Sequence, residues 1–159
     1  MPTWFVSGFS LVGLVVAILQ QIPGIVRAIH PPRVDPFARN SGTPLVEVLE
    51  KTFGVATLVL LVVVFVKIPV LPSMSGAFLT GALVVLAAYY ALYVAYYRGS
   101  TALPVLLGMA AFPPICFLLV ALYQGNALAL VTSVVFGTVH VGLTWSNFAP
   151  GDRAADTPA

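Results

Sequence analysis

Residues 102–123 read ALPVLLGMAAFPPICFLLVALY, and no charged side chain interrupts them. Such a run suits a helix that crosses lipid. The hydrocarbon core is about 30 Å thick, a helix rises about 1.5 Å per residue, and hydrocarbon offers backbone N–H and C=O groups no partner outside the helix. Four more stretches have the same character, over residues 4–25, 53–71, 76–97 and 127–148. The punctuation between them is that of short turns: Pro69, Pro72, Ser73 and Ser75; Arg98-Gly99-Ser100-Thr101; Gln124-Gly125-Asn126. The fold class predicted is an all-α polytopic transmembrane helical bundle of about five spans. It occupies a single domain over 1–150, and the polar tail at 151–159 is expected to be disordered.

The whole composition agrees with that fragment. Sixty per cent of the 159 residues are hydrophobic and only 8% are charged, against about 25% charged in a soluble domain. Seven basic and five acidic side chains cannot cover a water-facing surface. This argues against a cytosolic enzyme, a nucleic-acid binder with a basic face and a disordered regulator. The partner implied by composition is the lipid bilayer. The single Cys116 lies inside an apolar run and reads as a small buried hydrophobe. Residues 4–25 have no Lys or Arg ahead of their core and no obvious small-residue cleavage site near Gln20 to Arg27. They are therefore expected to form a retained helix rather than a signal peptide.

Orientation follows from the positive charges, because short loops rich in Lys and Arg stay cytoplasmic. With five spans, Arg27, Arg33, Arg39, Lys51, Arg98 and Arg153 fall on one side and Lys67 alone on the other. The expectation is a cell-membrane protein with its N-terminus outside and its C-terminus in the cytoplasm. Residues 30–50 form the cytoplasmic loop. Pro31, Pro32 and Pro36 preclude a regular helix at its start, whereas Thr43-Pro44 reads as a cap and first helical residue of an interfacial turn. Glu47 and Lys51 are four apart in the favourable order for an exposed ion pair.

Small residues mark helix contacts in lipid. Ala87, Ala91 and Ala95 make one four-spaced stripe, Ala129, Ser133 and Gly137 another, and Gly13 with Ala17 a shorter one. Pro113-Pro114 should kink the fourth span.

Polar residues of different helices converge at one depth. Gln20 and Gln21 lie about 24 Å in from the outer end of the first span, Tyr89 and Tyr93 about 20 and 26 Å along the third, and His140 about 20 Å along the fifth with Thr144 one turn on. Glu47 and Glu50 stand at the cytoplasmic mouth of the second span, and Asn147 lies near the end of the fifth. Intramembrane polar groups are costly and turn toward a bundle interior or a wet cavity. The candidate ligand-binding set is therefore His140, Gln20, Gln21, Tyr89, Tyr93, Glu47, Glu50, Thr144 and Asn147, forming a cytoplasm-facing pocket. The competing expectation is that these groups tie the helices together by interhelical hydrogen bonds. His30 and His140 lie on separate elements, and no HExxH, CxxC, GxSxG or Walker loop occurs. The residues point to no metal, no cofactor and no catalytic constellation.

Leu49-Glu50-Lys51-Thr52-Phe53-Gly54 and Phe136-Gly137-Thr138-Val139-His140, with Asn147 after it, resemble short patches of small bacterial membrane proteins of unassigned activity. That resemblance implies a similar fold and draws attention to Glu50, His140 and Asn147. The span count and long first loop resemble the translocator-protein family at the level of fold only, because Trp4 and Trp145 are the two tryptophans here and that family's tryptophan-rich pattern is missing. The functional expectation is a small-molecule- or lipid-binding or accessory membrane module. A homo-oligomer or another membrane protein is a possible partner, and an oligomeric small-solute transporter or channel is the alternative.

Overall fold

The computed structural model describes residues 5–38, 43–66 and 72–148. Lys67, Arg39, Arg153 and the tail at 151–159, all used in the reading above, lie outside these residues. The chain runs β1 (Phe5–Phe9), α1 (Leu11–Ile29), a 3-10 turn at Pro36–Ala38, α2 (Pro44–Val62), β2 (Val63–Val66), α3 (Pro72–Tyr97), α4 (Leu103–Gln124) and α5 (Ala127–Phe148). It is an all-α bundle, as expected. Four of the five helices, α1, α3, α4 and α5, are long and apolar enough to cross a membrane, which makes this a multi-pass membrane protein.

The exception corrects the sequence reading. α2 is displaced by nine residues at both ends from the expected 53–71. At its start, Pro44 takes the first helical turn and the supposed interfacial turn runs straight into the helix, so Glu47, Glu50 and Lys51 belong to α2. At its end, Val62-Val63-Val64-Phe65-Val66 is a β-branched and aromatic run with little preference for helix. Residues 63–66 pair antiparallel with Phe5–Phe9, which is likewise strand rather than the start of α1. Only about 16 Å of uncharged helix then follows Lys51.

A helix that stops inside apolar surroundings must satisfy its last four carbonyls. Here each has a donor. Val63 N–H bonds Val59 C=O, the Asn126 amide donates to Leu60 C=O at 2.5 Å, the Gln124 amide to Leu61 C=O at 2.9 Å, and Ser10 N–H to Val62 C=O at 2.8 Å. The Gln124 amide also donates to Ser10 Oγ, and Ser10 Oγ accepts the Gly13 N–H that opens α1. Gln124 and Asn126, which read as a polar turn, thus clamp α1, α2, α4 and α5 together at one end. Gly125 between them has φ +64°, the left-handed geometry that ends α4 and turns the chain into α5.

α4 is the central helix. Half of its membrane-length segment is buried, against 17–28% in the other three spans, and its buried residues include Pro113, Pro114, Cys116, Phe117 and Val120. The small stripe of α5 faces it. Ala129 and Ser133 are fully buried, and a Cβ added at Gly137 would come within 2.9 Å of Pro114. The α3 stripe differs, with Ala87 and Ala91 exposed. On α1, Leu11, Val15, Ile18, Ile22, Ile25 and Ile29 recur at helical spacing and are all exposed. In lipid this is the stable side to expose, while Gly13, Ala17 and Gln20 turn inward.

Proline leaves a mark on α1 as well. Pro23 has no N–H, so Leu19 C=O loses its partner within the helix. The Tyr90 hydroxyl donates to that carbonyl at 2.7 Å, and about two turns further along α3, Tyr97 donates to His30 C=O at 2.9 Å. α3 therefore holds α1 through phenols placed where its backbone is short of donors.

Candidate functional site

A cavity of about 220 Å³ lies between α1, α3, α4 and α5. Gln20 and Gln21 reach it from α1, Tyr89 and Tyr93 from α3, and His140 from α5. Five of the nine candidate residues are therefore brought together, and Arg27, Phe37 and Pro113 join them on the wall.

His140 organises one side. Its Nδ1 lies 2.5 Å from Glu50 Oε1, its ring stacks on Phe136 with centroids 5.0 Å apart and planes 21° apart, and its carbonyl accepts the Thr144 hydroxyl at 2.9 Å. Glu50 is not at the mouth of a span, as the sequence suggested. It meets His140 eight residues before α5 ends, about 12 Å up that helix. Glu50 faces a second depression, shared by Gln21, Lys51, Gly54 and Phe136, and His140 borders both spaces. Thr144 is buried and serves the backbone of α5. Glu47 pairs with Lys51 at 3.7 Å, the exposed collar expected for it. Asn147 is half-buried. Glu47, Thr144 and Asn147 are not among the cavity-lining residues.

Gln20 is the least ordinary group in the wall. It is 3% exposed, and neither its amide nitrogen nor its oxygen makes a well-formed hydrogen bond among the described residues, although the Tyr89 hydroxyl lies beside it. Buried polar atoms are nearly always bonded, and each one left alone costs about 1–3 kcal/mol. Thr57 and Gln124 each leave one atom in that state; Gln20 leaves both. Beside it, Pro113 and Pro114 lack the N–H groups that a regular helix would give to Met109 and Ala110 C=O, and Met109 and Ala110 line the same cavity. The space thus gathers a buried amide, phenols, an imidazole and a guanidinium, beside a helix turn from which proline has removed two backbone donors.

The sequence reading missed the inner closure of this cavity. After α1 the chain folds back, and Asp35 collects three donors: Arg27 Nε at 3.0 Å, the Tyr96 hydroxyl at 2.6 Å and Phe37 N–H at 3.0 Å. The Arg27 guanidinium lies 5.1 Å over the Phe37 ring. Phe37 packs edge-on against Tyr96 and Phe148. Phe37 is thereby latched across the end of the bundle where α1 and α3 finish, and it forms part of the cavity wall. By sequence Arg27 reads only as a loop charge. Asp35 followed by Pro36 is a turn signal, but its partner Tyr96 is 61 residues away and no local pattern links them.

Burial opposes ionisation of Asp35, yet the Tyr96 hydroxyl and the Arg27 guanidinium outweigh it and hold the carboxyl below its ordinary 3.8. A depressed folded-state value stabilises the protein above the unfolded value, and that contribution is lost as pH falls through the folded one. The stability difference between wild type and Asp35→Asn, followed by thermal melting, should therefore be constant from neutral pH down to about 5 and shrink below about 3.8.

Compared with known protein families, curated proteins and solved structures, the chain matches none.

Proposed function

We propose that this protein is a binding module of the cytoplasmic membrane that holds a small polar group in the cavity around Gln20, Arg27 and His140. One observation carries the reading: Gln20 is buried at the wall of a cavity large enough to admit a guest, with neither end of its amide in a well-formed hydrogen bond and only the Tyr89 hydroxyl beside it. A residue that only ties helices together would bond to one of them. We place the N-terminus outside and the C-terminus inside: Arg27, Arg33 and Arg98 gather at the end of the bundle where α1 and α3 finish, which is the behaviour of cytoplasmic positive charge. α5 finishes at that same end, its Phe148 against Phe37, and α2 runs between the two ends although it is not apolar enough to count as a span. The cavity then lies toward the cytoplasmic half, behind the Phe37 latch.

Gln20→Leu tests this reading through its sign. It removes a costly buried amide, so the unliganded protein should gain about 1–3 kcal/mol in detergent, while any small molecule retained by wild type through purification and seen by native mass spectrometry should be lost. A loss of stability, with wild type and variant carrying the same bound species or none, would show that Gln20 is a structural tie.

A further inference from the structure

The cavity has one chemical bias and one route of access, and together they point to a class of ligand. Its wall presents donors: the Arg27 guanidinium, the Gln20 and Gln21 amides, the Tyr89 and Tyr93 hydroxyls, and His140. No carboxylate is among the lining residues; Glu50 holds His140 by Nδ1 from the second depression, which leaves Nε2 as the ring nitrogen free for a ligand. Asp35 engages Arg27 through Nε, and a guanidinium carries four further N–H donors. A wall of this kind favours a small anionic group over a cation.

The route is set by Gln21. It borders the cavity and also an apolar groove of about 480 Å³ between α1 and α2, where it is the sole polar residue among Ala17, Ile18, Ile22, Leu58 and Val59. Ile18 and Val59 are more than half exposed, so the groove opens sideways to the surroundings of the bundle. In a bilayer such a groove holds acyl chains, and it supplies little affinity because lipid tails are as apolar as leucine. Its consequence is access: a molecule already dissolved in the membrane can leave its tail in the groove and slide only its head past Gln21.

We infer that the ligand is a single-chain amphiphile with a small anionic head, taken up laterally from the bilayer between α1 and α2. The head lies among Gln20, Arg27 and His140, and the tail lies along Ile18, Ile22 and Val59. This inference rests on the cavity being a binding site, and the experiment separates the two. In phosphatidylcholine nanodiscs, thermal melting is measured with laurate, with acetate and with dodecanol at matched concentrations. Laurate should raise the melting temperature by about 5 °C at saturation, while acetate and dodecanol leave it unchanged. Gln20→Leu should abolish the laurate response. Val59→Trp, which fills the exposed groove without touching the core, should abolish it as well while melting like the unliganded wild type. An equal response to acetate would overturn lateral uptake and leave the cavity reading standing. An equal response to dodecanol, or none to laurate, would overturn the anionic-head assignment.

Discussion

His140→Leu is expected to lower stability by about 3 kcal/mol, and adding Glu50→Leu to return most of that loss. The expectation follows from where the pair sits. Glu50 Oε1 and His140 Nδ1 are 2.5 Å apart, and the two side chains are only 19% and 28% exposed. Around them are Phe136, stacked on the imidazole, and Val55, Leu58 and Phe117 on the far side. Removing the imidazole leaves a partly buried carboxyl without its hydrogen-bond partner, in a depression whose other polar lining residues are Gln21 and Lys51. Removing both leaves a contact between two leucines, which a helix interface in lipid accepts. Double-mutant analysis of chemical denaturation in mild detergent measures this directly. Near-additive losses in the double variant would mean that the two residues contribute independently and that the pair does not join α2 to α5.

The second large effect is at Gly13. Gly13→Ala should cost about 3 kcal/mol, while Gly24→Ala, eleven residues later in the same helix, should change stability by less than about 1 kcal/mol. A Cβ at Gly13 would collide with the backbone carbonyl of Leu61 and reach the Gln124 amide that donates to it. Neither can yield without opening the clamp that satisfies the end of α2. A Cβ at Gly24 meets nothing within 4 Å. Helix propensity favours alanine equally at both positions, so the difference isolates the α1–α2 contact. Melting of the two variants in one detergent reads it out; equal effects would remove Gly13 from that contact.

Both effects show what the sequence made legible. The limits of α4 and α5 fall within a residue of those expected, because each apolar run is closed by a turn that nothing else competes for. α2 is different. Its apolar residues continue past Val62 into Phe65 and Val66, and hydropathy alone cannot distinguish helix from strand in a β-branched run. The deciding groups, Ser10, Gln124 and Asn126, come from other parts of the chain. The site divides in the same manner. Gln20, Tyr89 and His140 are conspicuous because polarity at membrane depth is costly wherever the helix turns. The pairing of His140 with Glu50 depends on the shift of α2, and the Arg27–Asp35–Tyr96 latch depends on a loop folding back across the bundle.

The binding reading also fits the energetics of the cavity wall. An amide desolvated without well-formed hydrogen bonds lowers stability unless something else holds it. Proteins commonly accept such a deficit where a ligand will fill it.

The most direct measurement is a structure of the protein in a lipid nanodisc at a resolution that reveals small-molecule density. The expected result is non-protein density in the cavity within about 2.7–3.2 Å of the Gln20 amide, reaching past Gln21 toward the groove between α1 and α2. A cavity closed by protein, with both ends of the Gln20 amide bonded to protein groups such as the Tyr89 hydroxyl and the Met109 or Ala110 carbonyl, would contradict it.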